Sequence, residues 1–375
     1  MGEIVIIISD LYLADSDPGD TSRSSFAAAA PALRGLKDVV RFGEKSALER
    51  GGGWRAWLAR RMGSEELAQA APAAIVAATS EAAATVDAAS SRVDAVTDSA
   101  PPIPPVIGTV WIATPVHLLA GLTRLHLDYR SLLRLSPAEL TDLARDFATT
   151  FGDSGFHLAP SPSGALLLRS RAPVDATTTE PARALANELG AALPSGPDAR
   201  VLKSLGAEME MWLHSHPLNE ARARRGELPV STLWLWGGGP QLRSPSTSVS
   251  QPTSLAVFGS DPYLIGLGHL GGTPVHPLPE RLPDLTPSPD IQSVALIAEL
   301  IPLLQANPHW TMFEALVDVD RRFIEPAIAA LRRGTVDTVV LVANDARLQV
   351  RRRDLLKFWR RRPKSVSAAL HALCW

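Results

Sequence analysis

The chain has 375 residues, 46% of them hydrophobic, a formal net charge of -2 and one cysteine, Cys374. That length suggests two structural units, or one large core carrying an insertion. The near-neutral charge excludes attraction of the whole chain to nucleic acid, and a single thiol excludes a disulfide framework and a cysteine-rich zinc site.

The opening "MGEIVIIISDLYL" is acidic where an export signal is basic, and its apolar run is too short for a membrane span. With the lone cysteine, this leads us to expect a cytoplasmic protein with no membrane partner. Glu3 to Ser9 is β-branched and almost wholly apolar, which predicts a strand buried on both faces, as in a parallel sheet. It ends at Ser9-Asp10, and in open α/β sheets ligands bind at such strand ends. Residues 14–35 predict a loop, and Leu36 to Met62 holds helical patches around Trp54, Trp57 and Leu58. Residues 64–105 are rich in Ala, Ser, Thr and Pro and end as a connector, partly flexible.

Residues 106–195 predict an α+β insertion. "VIGTVWIAT" and "LTRLHLDY" are strands, Ser136-Pro137 starts a helix that runs to Phe151, and a hairpin turns at Pro162-Ser163-Gly164. Strands flanking a helix suggest a small ferredoxin-like unit. A further helix covers Pro181 to Leu193. The remainder, 196–375, returns to α/β: helices over Ser293–Gln305 and Met312–Gly334, the second kinked at Pro326 and capped by Gly334, then a buried strand, Val336–Ala343, ending at Asn344-Asp345. The fold class is therefore α/β, a mostly parallel sheet flanked by helices, with residues 1–63 as its first part. If the first and last strands are parallel neighbours, Asp10 and Asp345 share one edge.

"HSHPLNEARARRGELPVSTLWLWGGG", from His214 to Gly239, is the densest stretch of polar and aromatic residues. Leu205, Met209, Trp212, Leu213 and His216 fall on one helical face, and Pro217 stops that helix. His216 is then a packed or hydrogen-bonded histidine. His214, one turn after Glu210, faces elsewhere, so the two histidines are a poor metal pair. Pro217 to Arg225 predicts a second helix with Asn219 and Arg222 on one face. Arg222 suits a bidentate contact to phosphate or carboxylate, or an internal salt bridge. The strand into Gly237, Gly238 and Gly239 suits an anion held by backbone N–H groups, or a tight turn. Asp10, His214, Asn219, Arg222, the three glycines and Asp345 are the candidate ligand contacts.

Arg347 to Lys364 carries nine basic residues and one acid, Asp354, interleaved with Leu355, Leu356, Phe358 and Trp359. That spacing predicts an amphipathic helix docked by its aromatic face. Arg351, Arg352, Arg353, Arg360, Arg361 and Arg362 then form a basic face for phosphate, nucleic acid or an acidic partner.

Five segments carry a family resemblance: "SDLYL", "TPVHLLAGLTRLHLD", "HPLNEARARRGELP…WLWGGG", "GSDPYLIGLGHLGG" and "RRRDLLKFWRRRPKS". The chain resembles the archaeal type of cofactor-independent phosphoglycerate mutase, in the alkaline phosphatase superfamily. It is similar, more closely, to bacterial regulatory proteins of the RpfE type. The resemblance implies an alkaline-phosphatase-like sheet. In active members it implies two metal ions and a Ser or Thr nucleophile. Asp10 matches the first-strand aspartate. Asp345 stands where an Asp-His pair falls, but Ala346 follows it. His309 is a loose ligand match, and Thr21, Ser22, Ser24 and Ser25 are nucleophiles by type only. Divalent manganese or zinc is implied only if the protein is catalytic. The expectation is a phosphoglycerate-mutase-like protein with an incomplete site, a regulatory or binding protein for a small phosphorylated or carboxylate ligand or a protein partner. Its alternatives are an active phosphomutase or phosphatase with atypical ligands, and a nucleic-acid-associated protein.

Overall fold

A computed structural model describes residues 2–11, 33–48, 52–79, 108–120, 125–185, 189–242, 254–282, 291–357 and 359–360. Thr21, Ser22, Ser24, Ser25, Arg361 and Arg362 lie outside the described residues, as do most of the 14–35 loop and of the 64–105 connector beyond residue 79. The chain divides into two compact units. The first comprises Met1–Gln69, Val249–Leu264 and Gly271–Trp375, and the second Ala70–Ser248 with Ile265–Leu270.

The first unit is built on a seven-stranded sheet. Its strands are β1 (Gly2–Ser9), β2 (Glu44–Ala47), β9 (Leu255–Phe258), β10 (Val275–His276), β11 (Ser293–Glu299), β12 (Val336–Ala343) and β13 (Ala346–Arg351), in the order β10-β9-β11-β1-β12-β13-β2. The first five in that order run parallel; at one edge β13 runs antiparallel to β12, and β2 antiparallel to β13. Ile4 to Ile8 are fully buried in the middle strand, because an apolar β-branched run can be covered on both faces.

Two readings from sequence are corrected here. Ser293–Gln305 is not one helix: its first half is β11, paired with β1 and β9, and only Leu300–Ala306 is helical. A short continuous apolar run carries no period to separate strand from buried helix. Nor is Arg347–Lys364 an amphipathic helix. It begins inside β13, where Ala346, Leu348 and Val350 are buried and Arg347, Gln349 and Arg351 are half-buried, a period of two. A single 3-10 turn, Arg352–Leu356, follows.

Helix α1 (Arg34–Phe42) packs in this unit against a long helical run made of α7 (Met312–Val319), a π-helical turn (Asp320–Ile324) and α8 (Glu325–Arg333), and α2 (Gly53–Arg61) belongs to the same unit. Pro326 sits in the first turn of α8, directly after the π turn, so the chain accommodates its missing N–H there. Gly334 caps α8 with φ 78°, a left-handed conformation that favours glycine.

The second unit repeats a β-α-β-β-α-β order. The elements are β3 (Thr109–Val116), α3 (Pro137–Phe151), β6 (Phe156–Pro160), β7 (Leu166–Ser170), α4 (Ala199–His214) and β8 (Thr232–Pro240). The sheet order is β6-β7-β3-β8 and every pair is antiparallel, the ferredoxin-like arrangement. Its fourth strand comes from beyond residue 195. Two minor strands, β4 (Leu119–Ala120) and β5 (Leu125–His126), form a separate ladder. Ser136 caps α3 through a reciprocal exchange with Glu139, which satisfies N–H groups that a helix start leaves open. The core between helices and sheet holds Trp111, Leu143, Phe147, Leu168, Met209 and Leu213. Of the helix expected over Pro181–Leu193, the described residues are helical over Pro181–Ala184 and Leu189–Ala192. Among the described residues no helix is long and apolar enough to cross a membrane.

Candidate functional site

The C-terminal edge of the parallel strands gathers polar groups. The register sets Ser9 beside Glu299 and Ile8 beside Ala343, so β11, β1 and β12 end together. Asp10 and Asn344 follow β1 and β12 with φ of 65° and 52°, the two positive values found among described residues other than glycine. Asp and Asn tolerate this conformation better than most side chains, yet it is sparsely populated and collects at binding sites. The Asn344 amide donates to the Leu11 carbonyl at 2.7 Å and ties the two strand ends to one another. Its Oδ1 is buried without a hydrogen-bond partner. The buried Ser9 hydroxyl donates to Asp10 at 3.3 Å. Ser260, just after β9, donates to Glu299 at 2.7 Å.

Next to Ser260, Asp261 is held from two sides. The Tyr263 N–H donates to it at 2.7 Å and the Arg55 guanidinium at 3.3 Å. Arg55 in turn lies 4.6 Å from the centre of the Trp54 ring, and the Tyr263 hydroxyl donates to its carbonyl. Burial pushes the Tyr263 phenol well above its usual range, so it stays a neutral donor. Asp345 is exposed in the two-residue turn into β13, and its backbone carbonyl accepts from Leu48. β1 and β12 are parallel neighbours, so Asp10 and Asp345 both follow strand ends at this edge. Glu299, Ser260 and Asn344 are additions that sequence reasoning missed. Glu299 was hidden when its strand was read as a helix.

The metal question turns on donors. A two-metal site needs several ligands per ion. Among the described residues no three His, Cys, Asp or Glu side chains stand together in a way that could hold a metal ion. His309 is exposed in the turn after Leu300–Ala306. The described residues therefore do not fit the two-ion arrangement.

In the second unit, the stretch from His214 to Gly239 is used by the fold itself. His216 caps α5 (Pro217–Arg224): its Nδ1 accepts the Leu218 N–H at 3.1 Å. Its ring meets Trp212 edge-on at 4.7 Å, and Nε2 lies 3.4 Å from Asp146. Burial lowers its pKa, with Asp146 opposing. His214 is exposed at the end of α4. Asn219 donates both amide hydrogens, to Leu213 and Val230 carbonyls at 2.7 and 2.9 Å, and accepts the Val230 N–H at 2.7 Å. Arg222 is buried; it donates to the Leu228 carbonyl at 2.8 Å and pairs with Glu139 and Glu227 at 3.3 and 3.2 Å. Burial acts to raise the Glu139 pKa, but hydrogen bonds from Ser136 and Arg225 and the charge of Arg222 outweigh it and hold it below the usual range.

The glycines form the last part of β8 and are still paired in its ladder. They lie within β8, opposite β3, where the register shifts between Val110 and Ile112. A Cβ on Gly238 would stand 2.1 Å from the Trp111 indole nitrogen, and one on Gly239 2.4 Å from Ala71. Gly237 has φ 65°. These residues are glycine because a bulge and a tryptophan ring crowd the backbone, and the anion cradle is corrected accordingly. For Asn219 and Arg222 as well, the partners are the chain's own groups.

The basic segment is also partly consumed. Arg360 donates to the Phe42 and Gly43 carbonyls at 3.0 Å each, and its own carbonyl accepts from Arg41. Arg351 lies at the end of β13, its N–H bound by buried Asp354, which also pairs with Lys357 at 2.7 Å. Arg352 and Arg353 are exposed.

No family model matches the chain, and no curated protein matches it. Solved structures similar to it include a cofactor-independent phosphoglycerate mutase from Thermoplasma acidophilum DSM 1728, at 14% identity over 93% of this chain and 89% of that one, with a TM-score of 0.35. Another is a protein from Pyrococcus horikoshii, at 13% identity over 93% of this chain and 87% of that one, with a TM-score of 0.39.

Proposed function

We propose that this protein is a phosphoglycerate-mutase-like scaffold that binds, and does not phosphorylate or isomerise, a small ligand at the C-terminal edge of its parallel sheet. One observation carries the reading: Asp10 and Asn344, both left-handed, end two neighbouring parallel strands and are locked together through the Leu11 carbonyl. Strained polar residues at the ends of parallel strands are where such sheets take ligands. The chemistry of the edge supports binding over transfer. Asp10, Glu299 and the buried Asn344 Oδ1 are oxygen acceptors, and Asn344 spends its amide within the fold. The ligand chemistry this suits is a set of hydroxyl or amine donors on a small molecule, held in a regulatory role.

The test is a thermal-shift screen of small phosphorylated, hydroxylated and amine compounds against the wild type and Asp10→Ala. The expected result is a ligand that raises Tm of the wild type and loses at least most of that shift in Asp10→Ala. A ligand whose shift is equal in both proteins contradicts the assignment of the edge.

A further inference from the structure

A cavity of about 580 Å³ opens in the second unit, between the C-terminal end of α3 and the second half of α4. Its lining takes Phe151 from the last turn of α3, Asp153 and Ser154 from the turn that follows, and Glu208, Met211 and Trp212 from α4. The last three are spaced i, i+3 and i+4, so they share one helix face. Met211 is 69% exposed and Trp212 beside it is half-buried. Trp212 is held by edge-on contacts, its ring 5.4 Å from Phe151 and 4.7 Å from His216. The lining thus joins a fixed aromatic residue to a thioether side chain that can adapt its shape.

The charge of the lining has one sign. Asp153 and Glu208 are exposed acids, and no Lys, Arg or His lines the cavity. The negative end of the α3 dipole falls here too, and the last turn of α3 has no basic side chain to offset it. Arg145, further back on α3, is paired with Asp142 and Asp146. The Thr149 and Ser154 hydroxyls donate to the Arg145 and Phe151 carbonyls at 3.1 and 2.6 Å, and Glu208 accepts from Ser204 at 3.3 Å. The lining side chains are therefore rich in acceptors, and their hydroxyl hydrogens are already given to the backbone.

We propose that this cavity binds a small organic ammonium ion carrying an apolar body. The ammonium group meets Asp153 and Glu208 at the negative helix end, and the body packs on Met211 and Trp212. The volume lies in the range of small-molecule pockets, roughly 300–1,000 Å³. An anion is repelled by both carboxylates and by the helix end. A bare calcium ion asks for about six to eight oxygen ligands, and among the described residues no three acidic, His or Cys side chains stand together to hold a metal. A basic peptide fits less well, because an extended chain docks along a groove or a sheet edge, and this lining is confined to one helix end and one helix face. The strand edge around Asp10 belongs to the first unit, so the two sites share no side chain.

The experiment is a ligand-observed NMR titration of phenethylamine with the full-length protein at about pH 7, where the amine is charged. Phenethyl alcohol and phenylacetate serve as its neutral and anionic counterparts. We expect phenethylamine to bind about fivefold or more tightly than either counterpart, and to weaken as salt is raised. The Asp153→Asn, Glu208→Gln double variant lowers its affinity about fivefold, and Met211→Ala lowers it about threefold. Glu220→Gln, an exposed acid on α5 outside the lining, leaves it unchanged. Circular dichroism confirms that these surface variants fold. No binding of phenethylamine up to about 10 mM, equal affinity for either counterpart, or unchanged affinity in the double variant or in Met211→Ala would each overturn the proposal. So would a loss in Asp10→Ala with none in the double variant, or binding of a hexalysine peptide with none of phenethylamine.

Discussion

At the scale of residues, the stretch that looks most like a site is the most thoroughly occupied by its own chain. Asn219 joins the end of α4 to the start of β8 with three hydrogen bonds. Asn219→Ala leaves the buried Val230 N–H without its acceptor and costs about 1–3 kcal/mol, read from denaturant unfolding. Gly238→Ala forces a methyl into the Trp111 indole and costs a similar 1–3 kcal/mol. An unchanged midpoint in either variant contradicts the structural assignment of the stretch.

His216 makes this unit sensitive to acid. Its Nδ1 is the acceptor that caps α5, so protonation there removes the cap, and burial holds the imidazole below the usual histidine range. The unfolded chain therefore takes the proton first. The stabilising contribution is complete above about pH 6.5 and fades as pH falls from there toward the folded value. His216→Asn keeps a capping acceptor and removes this share of the slope. His157 remains as a second source, lowered by burial and by Arg169 and Arg171. Tm measured from pH 5 to 8 falls less steeply on the acid side in His216→Asn; the same profile in both proteins would refute the role.

At the scale of elements, the junction of α1 with the π-helical turn is the clearest tertiary device. Buried Asp320 accepts the Gly35 and Leu36 N–H groups at 3.1 and 2.6 Å, so one side chain on the π turn caps the start of a distant helix. Burial pushes its pKa up to about 7 against those two hydrogen bonds. The sign is opposite to that of His216: the contribution is full below about pH 4 and is lost as pH rises through about 7. Asp320→Ala removes both acceptors and destabilises by about 1–3 kcal/mol. Hydrogen exchange in α1 rises with it, and unaltered exchange there contradicts the capping role.

Elements also show what a sequence can carry. β1 was legible from its unbroken β-branched run, and α3 from Ser136, Pro137 and Glu139, because those signals are local. The ferredoxin-like order was legible only in part: its second helix, α4, and fourth strand, β8, lie beyond residue 195, where the sequence reading had already returned to the α/β core. β11 was not legible, since its apolar run has no period. β13 was not, since its arginines alternate with buried residues and charge masked the pattern. The roles of Gly238, Arg222 and Asn219 depend on Trp111, Glu139 and Val230, contacts between segments far apart or in different elements. Glu299 and Asn344 were missed at the candidate site because their meaning arises only when strand ends are set side by side.

At the scale of the whole molecule, two units carry separate work. The first holds the candidate site, the acidic strand edge around Asp10. The second is a ferredoxin-like body in which His216, Asn219 and Arg222 are engaged by the chain's own groups. The central claim is that the strand edge binds without phosphoryl transfer. Its most direct test is elemental analysis of the purified full-length protein, with mutase and phosphatase assays in added manganese or zinc. The account predicts no stoichiometric metal and no turnover. Stoichiometric metal, with turnover abolished by Asp10→Ala, would contradict it and make the protein an enzyme.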